Sequence, residues 1–193
     1  RRILDGRKFI VLPDDGHILL SRGYAVNMAH AVLLAVDHPE VSGGKIYNTA
    51  DIHQFTLGQW VEVIADAMDA ELAIVGIPGD YAYPSRDLVI GRTEMHHQLF
   101  DIHAIRADLG YKDIVPAVQG LAETVRWYRD NPPQMAGDFE IDLQANYKTE
   151  DELATLDLEY RARLAEVKHV SRPYRHPYAH PKTPNEQRDH RSR

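Results

Sequence analysis

Short apolar runs alternate with longer amphipathic segments in the first half of the chain. Residues 8–12, 17–20, 45–48 and 72–77 are compact apolar runs bounded by turn-forming residues, which predicts four strands. Residues 26–36 have apolar side chains at helical spacing, and a second helix is expected after Thr56, a suitable N-cap. The chain therefore begins as alternating strands and helices.

Further along, the pattern changes twice. Residues 80–98 lack any period, which is typical of a binding loop between regular elements. Two helices are then predicted: a short one over 102–109, between an Asp101 cap and a terminating Gly110, and an amphipathic one over 115–128. Trp60 and Trp127 lead apolar stripes that are expected to face the core.

Beyond Gln134 the composition is different. Residues 149–167 predict a charged helix lying on the body, and from Ser171 onward proline, histidine and arginine dominate. We therefore expect a body over 1–133, a charged helical extension over 134–170 and a disordered tail over 171–193. The helix leucines would need covering, so a partner-binding role for the extension stays open.

Composition and charge argue against several classes of function. The 193 residues are 44% hydrophobic and carry a net charge of -7, which argues against a nucleic-acid binder. The absence of cysteine excludes disulfides and thiolate catalysis, and it fits a cytoplasmic protein. We expect no membrane segment, because no apolar run is long enough. The start at Arg1 reads like the middle of an element, as if cut from a longer chain.

Several short motifs follow one another in a familiar order. They are the turn 14–16 (DDG), the segment 22–31 (RGYAVNMAHA), the strand 44–48 (GKIYN), the segment 100–111 (FDIHAIRADLGY) and the helix end 124–128 (TVRWY). In this order and spacing, residues 1–131 resemble the carboxy-terminal part of extended short-chain dehydrogenases/reductases, the NAD-dependent epimerase/dehydratase family. Asn27 stands where that family usually has aspartate.

The family's cofactor and catalytic motifs are not found in this sequence. Its glycine-rich Gly-x-x-Gly-x-x-Gly turn, which binds the NAD or NADP pyrophosphate, has no match. Its catalytic Tyr-x-x-x-Lys matches only Tyr178 and Lys182, where Pro181 and flanking prolines oppose a helix. We therefore expect no catalytic and no cofactor-binding residue in this chain.

The resemblance implies a substrate site built on arginine. In the sugar-nucleotide members, an arginine at the position of Arg22 contacts the substrate diphosphate, a task that suits the forked guanidinium. A second phosphate-binding arginine is expected at Arg92, with Arg86 close enough to be confused with it. Otherwise all three are solvated surface charges.

Other polar residues are expected to be structural. Asn27 and Asn48 suit a helix cap and a turn, and Tyr24 and Tyr47 suit core or wall positions. His96, His97, Asp101 and His103 invite a metal hypothesis. The two adjacent histidines would diverge in an extended chain, so we expect no metal site.

These observations imply an α/β fold: the carboxy-terminal portion of a Rossmann-like protein with a small mixed substrate-binding lobe, its dinucleotide-binding half missing. The implied function is the substrate-binding portion of an NAD(P)-dependent nucleotide-sugar epimerase, dehydratase or reductase, possible as an oligomer and inactive alone. Its partner would be the missing half or another chain, and an apolar sheet edge and helix face would stay exposed without it. The alternative is a non-catalytic binding or scaffold module of the same fold, and a metal hydrolase is a third, weaker option.

Overall fold

The computed structural model describes residues 1–88, 96–132 and 143–168. Its strands and helices are, in chain order, β1 (Phe9–Pro13), β2 (Leu19–Leu20), α1 (Ala25–Asp37), α2 (Pro39–Ser42), β3 (Phe55–Thr56), α3 (Leu57–Ala67), β4 (Ala73–Ile77), α4 (His103–Leu109), α5 (Ala117–Asp130) and α6 (Leu143–Ala165). Residues Arg1–Tyr160 form one compact unit, and Arg161–Arg193 form a second. The described residues contain no helix long and apolar enough to cross a bilayer.

Two parallel strands carry the first core. β1 pairs with β4 from Phe9 opposite Ala73 to Pro13 opposite Ile77. The buried side chains of β1 pack with those of β2 and α3 in one cluster, which comprises Ile10, Leu12, Ile18, Leu20, Leu57 and Val61. A complete capping box starts α3, because Thr56 Oγ1 accepts from the Gln59 amide and the Gln59 side chain accepts from the Thr56 amide. The predictions of these strands and of the Thr56 cap are confirmed.

The turn 14–16 lies against the start of α3. Gly16 has a φ of 71°, and a Cβ on it would come within 2.7 Å of the Gly58 backbone nitrogen. Glycine is therefore required here both by conformation and by close packing. The turn ends β1 at a fixed distance from α3.

The second core joins α1 to α4. Its buried members are Ala31, Ile105, Leu109 and Tyr111. Gly110 ends α4 in the left-handed conformation, with a φ of 65°. The N-cap of α4 is Ile102 and not Asp101, so the helix begins one residue later than predicted; the Asp101 carboxylate still accepts a hydrogen bond of 2.7 Å from the amide of His103, the first helical residue.

Two predictions about these elements are wrong. Residues 45–48 form no strand, because they have no described neighbour to pair with; Lys45 and Tyr47 instead contact Asp108. Trp127 is not in the core but 58% exposed, because α5 turns its Ala117, Gly120 and Leu121 face inward. Gly120 has no side chain to displace the Tyr24 ring, which a Cβ would approach to 2.6 Å.

An apolar face of α1 is exposed. Its small and polar residues, Asn27 and Ala31, are the buried ones, while larger side chains face outward: Val26, Val32, Leu33 and Val36. An exposed aliphatic stripe of this kind on a helix is typical of a surface that another element covers. The expected exposed helix face is therefore present in the described structure.

The first half of α6 is anchored to the amino-terminal turn by buried charge. Glu150 is fully buried, and its carboxylate lies 2.7 Å from Arg2 and 3.4 Å from Arg7. Tyr147 donates a hydrogen bond of 2.7 Å to Asp5 and lies under the Arg7 guanidinium. This part of α6 is thus built into the body rather than lying loosely on it.

Candidate anion-binding site

Arg22 follows β2 on a backbone that is held on one side by an amide side chain. β2 pairs antiparallel with β3, Leu19 opposite Thr56 and Leu20 opposite Phe55. Where this short ladder ends, Gln54 continues it: its Oε1 accepts from the Arg22 amide at 2.9 Å, and its Nε2 donates to the Arg22 carbonyl at 3.4 Å. The Asp51 amide donates to the same carbonyl at 2.9 Å. The backbone of Arg22 is therefore fixed.

The other edge of β2 is covered by the segment that ends the long irregular loop. The Ser21 amide donates a hydrogen bond to the Gln98 carbonyl, and Leu20 forms a parallel β-bridge with Gln98. The Ser21 hydroxyl accepts from the Phe100 amide at 2.8 Å. Residues 96–100 thus lie beside the strand that leads to Arg22.

The guanidinium of Arg22 has no polar partner among the described residues. The residue is half-buried, and no hydrogen bond or ion pair joins its side chain to the residues that the structure describes. A positioned and partly desolvated guanidinium binds anions well, because its charge-assisted hydrogen bonds are among the strongest in proteins. This arrangement can bind a phosphate group.

Arg86 is engaged in its own loop. Its guanidinium donates to the Asp80 carbonyl and lies 4.8 Å from the centre of the Tyr83 ring. These contacts hold the 3-10 segment Tyr83–Leu88, which follows β4. Arg92 falls outside the described residues, as do Tyr178 and Lys182. A substrate-binding role for Arg86 and for Arg92 stays a prediction.

A buried polar cluster behind Arg22 was not anticipated from the sequence. Asn27 is fully buried; its Nδ2 donates to Asp51 at 2.8 Å and to the Val115 carbonyl at 2.9 Å, while its Oδ1 accepts from the Ile114 and Val115 amides. The Asp51 carboxylate also accepts from the Tyr24 amide. Asn27 is therefore structural as expected, but it links three segments and does not cap α1.

Burial raises the pKa values of two groups in this region, Asp51 and Tyr111. Removal from water raises the pKa of Asp51 above its ordinary value, and the hydrogen bonds from Asn27 and the Tyr24 amide only partly oppose that effect. Burial also raises the pKa of Tyr111, whose hydroxyl donates to Asp113 at 3.1 Å. In the sequence, these residues appear only as two aspartates and an asparagine next to apolar runs. That pattern does not show which of these side chains contact one another.

A neighbouring tyrosine and lysine share one carboxylate partner. Lys45 Nζ lies 2.6 Å and Tyr47 Oη 2.9 Å from the same Asp108 oxygen. The hydrogen bond to Asp108 raises the pKa of Lys45, and burial, followed by Asp108, raises the pKa of Tyr47. Both side chains are thus held by the same carboxylate.

The described residues do not support the hypothesis that the histidine-rich segment binds a metal ion. His97 Nδ1 accepts from the Leu19 amide at 3.1 Å, which ties this histidine to β2. Across residues 1–88, 96–132 and 143–168, no group of three or more histidine, aspartate or glutamate side chains is placed to hold a metal ion. His97 and Asp101 serve the backbone instead.

Comparison with known proteins identifies a relative and solved structures with a similar fold. No family model matches the chain. The uncharacterised protein YbjS of Escherichia coli strain K12 is 25% identical over 144 residues, which make up 63% of this chain and 42% of that protein. A UDP-glucose 4-epimerase of Thermotoga maritima, solved with UDP-glucose, is 19% identical with a TM-score of 0.52, over 68% of this chain and 38% of that one.

Two other solved structures are similar in the same way. A UDP-glucose 4-epimerase of Bifidobacterium longum, in complex with NAD+ and UDP, is 15% identical with a TM-score of 0.50, over 67% of this chain and 37% of that one. RMD of Pseudomonas aeruginosa, complexed with NADPH, is 17% identical with a TM-score of 0.51, over 67% and 39%. The chain thus has an α/β fold similar to part of these proteins, and it spans about two fifths of their length.

Proposed function

We propose that this chain is the substrate-binding portion of an NAD(P)-dependent oxidoreductase that resembles nucleotide-sugar epimerases and dehydratases, and that Arg22 binds the substrate diphosphate. The observation that carries the proposal is the Arg22 guanidinium: its backbone is fixed by Gln54 and Asp51, yet its side chain has no partner among the described residues. The similar fold of epimerases solved with UDP-glucose and UDP supports a diphosphate as the ligand.

The cofactor would be held elsewhere in the whole protein. The 193 residues contain no Gly-x-x-Gly-x-x-Gly, and Lys45 and Tyr47 are both held by the Asp108 carboxylate. The exposed apolar face of α1 supports a covering partner, either the missing dinucleotide-binding half or another chain. Residues of this chain would then bind and orient the substrate beside a nicotinamide that accepts or donates hydride.

Calorimetric titration with UDP tests the role of Arg22. We expect Arg22→Met to weaken binding by about tenfold or more, because a hydrogen bond to a charged group contributes about 1.5–3 kcal/mol. Arg106→Met is the matched control: Arg106 is an exposed arginine of α4, and UDP affinity should not change. Equal affinity in all three proteins would contradict the proposal.

The non-catalytic binding module remains the second candidate, because the sequence contains no glycine-rich cofactor turn and the similar epimerase covers only 68% of this chain. The two functions differ in what the whole protein does with substrate. A longer parent chain or a partner chain that binds NAD(P) together with this one favours the oxidoreductase. The absence of any such parent or partner chain favours the module, whatever ligand the purified chain binds.

A further inference from the structure

Gln54 contacts Arg22 at the point where the ladder between β2 and β3 ends. The two strands pair over only two residues each. Beyond them, Gln54 Oε1 accepts from the Arg22 amide at 2.9 Å, and Gln54 Nε2 donates to the Arg22 carbonyl at 3.4 Å. One side chain thus provides both of the hydrogen bonds that a paired strand residue would provide to the Arg22 backbone.

The donors of the Gln54 amide are already in use. Its Nε2 group has two hydrogens, and the acceptors are the carbonyls of Arg22 and Asp51. The orientation of the amide is fixed, because the Arg22 N–H must face an oxygen. A hydrogen bond from Gln54 to an anion would therefore break one of these two bonds. Gln54 can act on a bound anion through Arg22 without touching the anion itself.

The residues after Arg22 are held by the same segment, 51–54. Both oxygens of the Asp51 carboxylate accept from the Tyr24 amide at 3.0 Å, and Asn27 donates to one of them at 2.8 Å. The Asp51 amide donates to the Arg22 carbonyl at 2.9 Å. Segment 51–54 therefore holds residues 22–24 at both ends before any ligand is bound.

We propose that Gln54 is a positioning residue for anion binding by Arg22. It holds the Arg22 backbone so that the guanidinium meets a diphosphate without further ordering of the chain. Ordering a binding residue in advance raises affinity, because that conformational entropy is not lost on binding. The inference rests on the proposed function, in which Arg22 binds the substrate diphosphate.

A double-mutant cycle of Gln54→Met and Arg22→Met, measured by calorimetric titration with UDP, tests this role. Methionine has nearly the length of glutamine and lacks its amide. We expect Gln54→Met to weaken UDP binding about fivefold when Arg22 is present, and by less than about twofold in the Arg22→Met chain. Gln144→Met is the matched control: Gln144 is an exposed glutamine of α6, and UDP affinity should not change.

The cycle separates the positioning role from the proposed function. Equal weakening by Gln54→Met in both backgrounds would show an effect that does not pass through Arg22. That result, or no weakening by Gln54→Met where Arg22→Met does weaken binding, would overturn the positioning role alone. A UDP affinity that Arg22→Met leaves unchanged would overturn the proposed function and the positioning role with it.

Hydrogen exchange of the Arg22 amide tests the contact in the unchanged chain, whether or not Gln54→Met folds. We expect slow exchange, because the Arg22 N–H is bonded to Gln54 Oε1. The same amide should exchange at least about tenfold faster in Gln54→Met. Exchange in the unchanged chain as fast as that of an exposed loop amide would contradict the proposal.

Discussion

Asn27 and Asp51 show why a single residue departs from the pattern that the resemblance predicts. Aspartate is expected at position 27, yet Asn27 donates its amide to Asp51 at 2.8 Å and to the Val115 carbonyl. A carboxylate there would face a second carboxylate and a carbonyl oxygen, with no proton between them. Because burial already raises the pKa of Asp51, an amide is the group that fits.

Asn27→Asp should therefore destabilise the chain in a pH-dependent way. Two carboxyls at this distance share one proton, so the pair loses that proton in the folded state with an apparent pKa above the value in the unfolded state. Stability is then lost as pH rises: we expect a cost of about 2 kcal/mol or more at neutral pH and a smaller cost near pH 4.5. Urea denaturation at both pH values measures this.

Asn48→Asp is the control for that experiment, because Asn48 is exposed and only its long 3.4 Å contact to the Asp101 carbonyl changes. Its effect should be small at both pH values. An Asn27→Asp cost that does not vary with pH would show that Asp51 is not the group that matters.

At the scale of the elements, the sequence correctly predicted features that depend on neighbouring residues. It failed for features that depend on residues far apart in the chain. The Thr56 capping box, the Gly110 terminator and β4 were readable because each depends on a few neighbouring residues. The 45–48 strand and the core position of Trp127 were wrong, since pairing and facing depend on distant partners. The α6 anchor joins Arg2 to Glu150 across 148 residues, which no local pattern encodes.

The anchor of α6 can be tested with neighbouring acids. Glu150→Gln leaves Arg2 without a compensating charge at a buried site and removes the longer of the two ion pairs of Arg7, and we expect a loss of about 3 kcal/mol in the free energy of unfolding. Asp151→Asn removes a carboxylate that is 57% exposed and contacts Arg7 alone, and it should cost about 1 kcal/mol or less.

Chemical denaturation of the two variants, with hydrogen exchange of the α6 amides, measures the difference. Faster exchange confined to α6 in Glu150→Gln is the expected pattern. Similar stability of both variants would mean that the buried ion pairs do not hold the helix.

At the scale of the whole molecule, two observations agree: α1 exposes apolar side chains, and the chain matches only part of each similar protein. α1 presents Val32, Leu33 and Val36 to the outside, and the chain matches about two fifths of each similar protein. A fold that is only part of its relatives leaves uncovered the faces that the rest would cover. Both observations support the proposal that the chain acts together with a further portion or partner.

The α1 face allows a contrast within one helix. Leu33→Glu changes an exposed side chain and should alter stability by less than about 0.5 kcal/mol while reducing the binding of a hydrophobic dye. Ala31→Glu, two residues away, puts a charge into the buried cluster with Ile105 and should unfold the chain. Comparable destabilisation by both would show that the chain itself covers this face.

Calorimetry of the purified chain with UDP and, separately, with NAD+ and NADP+ tests the central claim most directly. We predict that UDP binds through Arg22 and that neither dinucleotide binds, because the proposed chain function supplies the substrate site without the glycine-rich turn. Dinucleotide binding by this chain alone, or no binding of UDP, would contradict it.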